Sequence, residues 1–148
     1  MTGGRLRPVV AALLGVYLLC LAFILLVPWG QVPTRGVSEV VLFARDLGVP
    51  EVLLLPTRAE FAANAAIVVP AVAAASWLRP RVRWSGWTAY AFLASLSVEA
   101  VQALLLPGRS ATFVDVVANT TGAVAGGLLG AAYHRVHARR VADSDSRS

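Results

Sequence analysis

Acidic and amide side chains lie inside or beside apolar stretches of this sequence, where they could bind a ligand or move a proton. Three acid and amide pairs recur at helical spacing: Glu60 and Asn64, Glu99 and Gln102, Asp115 and Asn119. Such groups are costly in hydrocarbon, so they usually face the interior of a helix bundle or a water-filled cavity. Arg109 follows the second pair, and a guanidinium can hold a carboxylate or an anionic group such as phosphate. We therefore predict that these residues line one polar ligand site at one end of a bundle.

Two of the acids could instead cap helices. Glu60 follows Thr57 by three residues and Asp115 follows Thr112 by three, which is the spacing of a capping box. An acid in the first helical turn also interacts favourably with the helix dipole. For Glu60 and Asp115 the sequence therefore leaves a structural role and a binding role open.

Glu99 lies about seven residues inside its predicted helix, so capping cannot account for it. A structural ion pair with Arg109 is one interpretation, and a ligand or proton site built around that pair is the other. The single cysteine, Cys20, lies in an apolar run, and no spacing typical of metal ligands is present. We therefore predict no metal site and no other cofactor.

The last apolar stretch has a face of small residues. Gly122, Gly126 and Gly130 recur every four residues and continue the face of Asp115 and Asn119. Glycines at this spacing let a neighbouring backbone approach closely. We predict a helix-packing face here, whose partner the sequence leaves open; a homo-oligomer formed through this face of the fourth span is one expectation.

The composition requires a membrane. Of the residues, 57% are hydrophobic and 14% are charged, and the mean hydropathy is +0.69, above the usual range of soluble domains. Four stretches approach the length of about 20 residues that crosses a bilayer: residues 9–27, 61–78, 87–106 and 113–133. We predict an all-α polytopic membrane protein, with a four-helix transmembrane bundle in one domain (1–140) and a disordered tail (141–148).

The arginines indicate the orientation, because positively charged short loops stay in the cytoplasm. They flank the first span, fill the turn between the second and third, and follow the fourth: Arg5, Arg7, Arg79, Arg81, Arg83, Arg135, Arg139 and Arg140. We predict that both termini are cytoplasmic and that the polar site faces outward. Arginine in place of lysine, with abundant alanine, indicates a GC-rich bacterial genome and hence the bacterial cytoplasmic membrane. The arginines form no tract, so no nucleic-acid partner is expected.

The long loop between the first two spans contains an amphipathic segment. Apolar residues recur in it at helical spacing: Val37, Val40, Val41, Ala44 and Leu47. Ser38 is available as an N-cap, and Gly48 followed by Pro50 would end the helix. We predict a short amphipathic helix that lies on the outer surface or packs on the spans as a lid.

The same polar residues carry a resemblance to a known family. One run resembles the signature of the VanZ-like family: Glu99, Gln102, Arg109, Asp115, Asn119 and Gly122. Asn64 and Pro70 resemble a segment of that family's second span, with an aliphatic residue in place of an aromatic one and Ala71 in place of glycine. The resemblance covers about the whole chain. It implies the membrane fold and a setting in the cell envelope, but no reaction.

Three classes of function follow. The favoured hypothesis is a protein that binds a lipid headgroup, a lipid-linked wall precursor or a lipoglycopeptide. The VanZ-like family is named for a protein that lowers susceptibility to teicoplanin, so the resemblance implies a link to glycopeptide resistance. The second class is an intramembrane enzyme using Glu99 or Asp115 as general acid or base. It is less favoured, because the sequence places no activated Ser, Cys or His nucleophile on the outer side, and His134 and His137 lie at the opposite end. The third is a structural or transport subunit.

Overall fold

The computed structural model describes residues 3–26, 32–105 and 112–145. These residues form helices and their connections, without a strand. The helices are α1 (Gly3–Leu26), α2 (Val32–Asp46), α3 (Pro56–Leu78), α4 (Trp84–Leu105) and α5 (Phe113–Asp145), with a 3-10 turn at Glu51–Leu53. The predicted all-α class is confirmed.

Four of the helices are long and apolar enough to cross a membrane: Leu6–Ile24, Pro56–Leu78, Trp84–Leu105 and Phe113–Arg140. At a rise of about 1.5 Å per residue, α3 and α4 are about 35 and 33 Å long, close to the thickness of a hydrocarbon core, about 30 Å. The predicted bundle of four transmembrane helices is confirmed. α3 and α4 begin at Pro56 and Trp84, five and three residues earlier than predicted.

The central helix of the bundle is α5, which packs on both α3 and α4. Its buried side chains include Val116, Ala118 and Ala123, which are small or β-branched. α1 lies outside this group and packs on α3. The Tyr17 hydroxyl of α1 donates a hydrogen bond to the Ile67 carbonyl at 2.7 Å, whereas the apolar side chains of α1 are largely exposed, as expected for a helix that faces lipid.

α3 and α5 run parallel, and α4 runs antiparallel to both. Gly122 lies beside Ala65 and Gly130 beside Ser76, so residue numbers increase in the same direction along α3 and α5. The first residue of α4 lies beside Gly127, while the other half of α4 lies beside the start of α5. The end of α3, the start of α4 and the second half of α5 therefore share one end of the bundle.

α2 is the amphipathic helix predicted for the first loop, but it begins earlier than predicted. It starts at Val32, so Ser38 lies inside the helix and is not its N-cap. Pro33 falls in the first turn, where a missing backbone N–H leaves no intrahelical hydrogen bond unmade. The helix therefore extends toward the N-terminus beyond the amphipathic pattern.

The end of α2 agrees with the sequence. Gly48 has a φ of 79°, a backbone conformation that glycine adopts without strain. Its N–H donates to the Arg45 carbonyl at 2.9 Å, and the N–H of Val49 donates to the Ala44 carbonyl at 3.1 Å. These two bonds form a Schellman motif, so Gly48 ends the helix as predicted.

The start of α3 differs from the predicted capping box. The helix begins at Pro56 with Leu55 as its N-cap, and no side-chain hydrogen bond caps it. Proline favours the first position of a helix because its φ is already helical. Thr57 thus lies within the first turn, and the capping role considered for Thr57 with Glu60 is wrong.

α5 continues past the predicted end of the fourth span at residue 133 to Asp145. The segment 141–148 is predicted to be disordered, but residues 141–145 are helical, and 146–148 lie outside the described residues. Alanine and arginine predominate between 131 and 142, and both have high helix propensity. Adding residues to an existing helix is favourable once packing has fixed the preceding turns.

Candidate functional site

The contact between α3 and α5 brings an amide to an acid. Asn64 Nδ2 donates a hydrogen bond to Asp115 Oδ1 at 2.5 Å, and Thr112 Oγ1 donates to Asp115 Oδ2 at 2.8 Å. Both oxygens of this carboxylate therefore accept a hydrogen bond from the protein. Bonds of this kind are stronger than those between two neutral groups when the acid is ionised. They tie α3 to the first turn of α5.

Glu99 brings α4 to the same place. Its Oε2 accepts a hydrogen bond from the backbone N–H of Thr112 at 2.8 Å. The Thr112 hydroxyl in turn accepts a longer bond, 3.3 Å, from the N–H of Asp115. Thr112 immediately precedes α5, so it occupies the N-cap position, and Asp115 is the third residue of the helix.

This arrangement is a capping box completed by a second helix. In the usual box the acid at the third position accepts from the N-cap N–H. Here Glu99 of α4 takes that N–H, and Asp115 bonds the Thr112 hydroxyl and Asn64 instead. The prediction that capping cannot account for Glu99 is wrong, because Glu99 accepts the N-cap N–H of α5, a helix other than its own.

A second link joins α4 and α5 farther from the start of α5. Asn119 Nδ2 donates to Ser95 Oγ at 2.9 Å, and Ser95 is buried. Ser95 lies four residues before Glu99, and Asn119 lies four residues after Asp115, so the two links follow one interface. Ser95 is absent from the predicted site. Its spacing already predicts that it shares a helix face with Glu99 and Gln102.

The remaining predicted site residues are Gln102, Glu60 and Arg109. Gln102 is buried on α4, with 6% of its surface exposed. Glu60 is exposed on α3 and, among the described residues, forms no hydrogen bond with Asn64 or Asp115. Arg109 lies outside the described residues, so its pairing with Glu99 stays a prediction. We use the name polar cluster for the residues that hydrogen bonds connect: Asn64, Ser95, Glu99, Thr112, Asp115 and Asn119.

The polar cluster combines two acids with two amides between membrane-spanning helices. Asn64, Glu99, Asp115 and Asn119 are each partly buried, and the two acids adjoin the N-terminus of α5, where the helix dipole favours negative charge. Carboxylates accept hydrogen bonds, and amides both donate and accept them. Such a set can bind hydroxyl, amide or amino groups. Across the described residues, no group of three or more His, Cys, Asp and Glu side chains is placed to hold a metal ion.

The glycine face of α5 packs on α3 of the same chain. A Cβ added to Gly122 would collide with the carbonyl group of Ala65, and one added to Gly126 would lie 2.6 Å from the carbonyl oxygen of Val69. Gly130 is also buried in this contact. α3 therefore occupies the face through which one of the sequence predictions places a homo-oligomer contact.

The long apolar helices and the polar cluster between them define a multi-pass helical membrane protein. The model of the VanZ/LLP1 family matches residues 14–133, a range that includes the whole polar cluster. The chain belongs to the VanZ/LLP1 family. No curated protein and no solved structure matches it.

Proposed function

We propose that the protein acts at the cell envelope by binding the polar headgroup of an amphiphile at the polar cluster. The observation that carries this proposal is the meeting of acids and amides from three spans at one end of the bundle. Acids within membrane-spanning helices are costly and commonly mark functional sites. The arginine distribution supports the outer side of the bacterial cytoplasmic membrane for this end.

The chemistry of the polar cluster supports a ligand rich in hydroxyl, amide or amino groups. A lipid-linked wall precursor and a lipoglycopeptide both join such groups to an apolar chain, and a phospholipid headgroup offers a smaller set. Exposed apolar residues on α4, such as Leu93, Leu96 and Leu104, provide a surface for the apolar chain. Membership in the VanZ/LLP1 family supports a link to glycopeptide resistance.

Binding is favoured over acid and base catalysis by the hydrogen bonds of Asp115. Both of its carboxylate oxygens accept bonds from the protein, which leaves fewer lone pairs for proton transfer to a substrate. Glu99 also accepts a structural bond from the N–H of Thr112. A general base must instead direct an oxygen toward the proton that it removes.

Glu99→Gln tests the proposal because it removes the charge and preserves the shape. The amide oxygen of glutamine can still accept the bond from Thr112 N–H, so we expect a melting temperature in detergent close to that of the wild type. Ligand retention is measured by native mass spectrometry after incubation with a lipid-linked wall precursor, teicoplanin or phosphatidylethanolamine. We expect at least one to be retained by the wild type, and at least tenfold less of it by Glu99→Gln, since a hydrogen bond to a charged group contributes roughly 1.5–3 kcal/mol.

Ser97→Ala is the matched control on the same helix. Ser97 is exposed, and its hydroxyl donates to the Leu93 carbonyl of its own helix at 2.8 Å. Its removal leaves the polar cluster intact, so ligand retention should equal that of the wild type. Equal retention by Glu99→Gln and the wild type, or a wild type that retains none of the three compounds, would contradict the proposal.

A further inference from the structure

The end of the bundle opposite the polar cluster is strongly basic. Six exposed arginines lie there, three in the turn between α3 and α4 and three on α5: Arg79, Arg81, Arg83, Arg135, Arg139 and Arg140. The sequence has no acidic residue between Glu60 and Glu99, and none between Asp115 and Asp143. We call this surface the basic end. Asp143, one helical turn after Arg139 and Arg140, is the acid nearest to them in sequence, and the neighbouring turns of the other four arginines contain no acid.

α5 extends beyond its neighbour at the basic end. Ser76 lies beside Gly130, two residues before the end of α3, so the part of α5 after about residue 132 has no α3 beside it. Arg135 lies about 5 Å past that level, and Arg140 about 12 Å past it, at about 1.5 Å per residue. Asp143 lies farther out, at about 17 Å.

These heights correspond to the phosphate region of a membrane. The headgroup layer adds about 5–8 Å to each side of the hydrocarbon core, and arginine side chains extend several ångströms toward a charged partner. The arginines of α5 therefore reach the level of lipid phosphates, whereas the first acid of the extension lies beyond it. Along α5 the arginines come before the first acid, and this order favours attraction to an anionic membrane surface.

Aromatic residues fix the base of the extension. His134 Nε2 lies 3.1 Å from the Ser76 carbonyl oxygen, which accepts its hydrogen bond, and the ring of Tyr133 stacks on that of His137 at 6.0 Å. Tyr133 and Trp84 are partly exposed at this end, as is typical of aromatic side chains at a membrane interface. The first arginine of the extension is thus held next to the interface.

We propose that the basic end binds the phosphate groups of anionic phospholipids in the leaflet that it faces, which is predicted to be the cytoplasmic one. The positive charge of the arginines attracts lipids of net negative charge, and each basic residue near an anionic surface contributes about fivefold in affinity. The basic end is separate from the polar cluster, and it would bind the phosphate groups of lipids at the opposite end of the bundle. It would hold α5 at a fixed depth in the membrane.

The experiment measures lipid preference in the purified full-length protein. The protein is equilibrated in mixed micelles of equal phosphatidylglycerol and phosphatidylcholine, and retained lipids are counted by native mass spectrometry. We expect the wild type to retain phosphatidylglycerol preferentially, and the preference to fall at least tenfold when Arg135, Arg139 and Arg140 are all changed to Gln. Changing the same three residues to Lys should keep the preference, because the charge remains.

The control is Arg45→Gln combined with Arg58→Gln, two exposed arginines toward the opposite end. It removes positive charge without touching the basic end, so the preference should stay at the wild-type value. The proposal is overturned if the wild type shows no preference, if the triple Gln variant keeps it, or if the triple Lys variant loses it. Melting temperatures show whether each variant is folded. If the triple Gln variant does not fold, the three single Gln variants replace it, and at least one of them must lower the preference for phosphatidylglycerol.

Discussion

Gly126 offers the sharpest test of how α3 and α5 pack. It is buried, and a Cβ added there would lie 2.6 Å from the Val69 carbonyl oxygen and 3.0 Å from Val72 Cβ. Ordinary contacts of these atoms are about 3.5 Å or longer. Gly126→Ala must therefore push the two helices apart by about 1 Å or distort one of them.

The cost follows from overpacking a close contact. Extra methyl groups in a packed interior destabilise by about 1–3 kcal/mol, whereas replacing glycine by alanine in a helix gains up to about 1 kcal/mol. We expect a net loss for Gly126→Ala and a larger one for Gly126→Leu. The separation would also lengthen the bond between Asn64 and Asp115, now 2.5 Å, because the same two helices carry it.

The assay is thermal unfolding of the purified protein in one detergent. Gly15→Ala is the matched control, since a Cβ there meets no atom within 4 Å, and we expect it to be neutral or slightly stabilising. Leu128→Ile, at a side chain that is 48% exposed, controls for a change on α5 away from α3. If Gly126→Ala melts at the same temperature as Gly15→Ala, the close contact of α3 with α5 is not a source of stability.

Two further expectations concern orientation and the polar cluster. Both cysteine variants are made in a background in which Cys20 is replaced by alanine. Glu39→Cys should react with a membrane-impermeant thiol reagent in intact cells, and Ser85→Cys should react only after permeabilisation. The opposite labelling pattern would show that the predicted orientation is wrong. Asn64→Leu leaves Asp115 Oδ1 without the donor that it has in the structure, so the free energy of unfolding, measured by chemical denaturation, should fall by about 1–3 kcal/mol. An unchanged value would show that this bond adds no stability.

The spans were predictable from the sequence because membrane crossing depends on local composition and length. The end of α2 was predictable for a similar reason, since Gly48 supplies the left-handed conformation that a Schellman motif requires. The starts of α2 and α3 were not. In both, a proline near the first turn moves the helix start toward the N-terminus. Ser38 and Thr57 therefore lie inside these helices and do not cap them.

The contacts of the polar cluster were only partly accessible from sequence. Helical spacing identified Asn64, Asp115 and Asn119, because residues four apart share a helix face. It could not reveal that Glu99 accepts the N–H of Thr112, since that bond depends on how deep α4 sits beside the start of α5. Arg109 lies outside the described residues, so its part in the site remains a sequence prediction.

The glycine face and the polar cluster form one structural unit. Glycine at positions 122 and 126 lets the backbones of α3 and α5 approach, and a close approach is what allows the short side chain of Asn64 to reach Asp115. Glu99 then locks α4 to the start of α5. α1 takes part in none of these hydrogen bonds and packs mainly on α3. The polar cluster therefore depends on three helices. Substitutions on the glycine face should weaken ligand binding as well as stability, because they move the helices that carry the polar cluster.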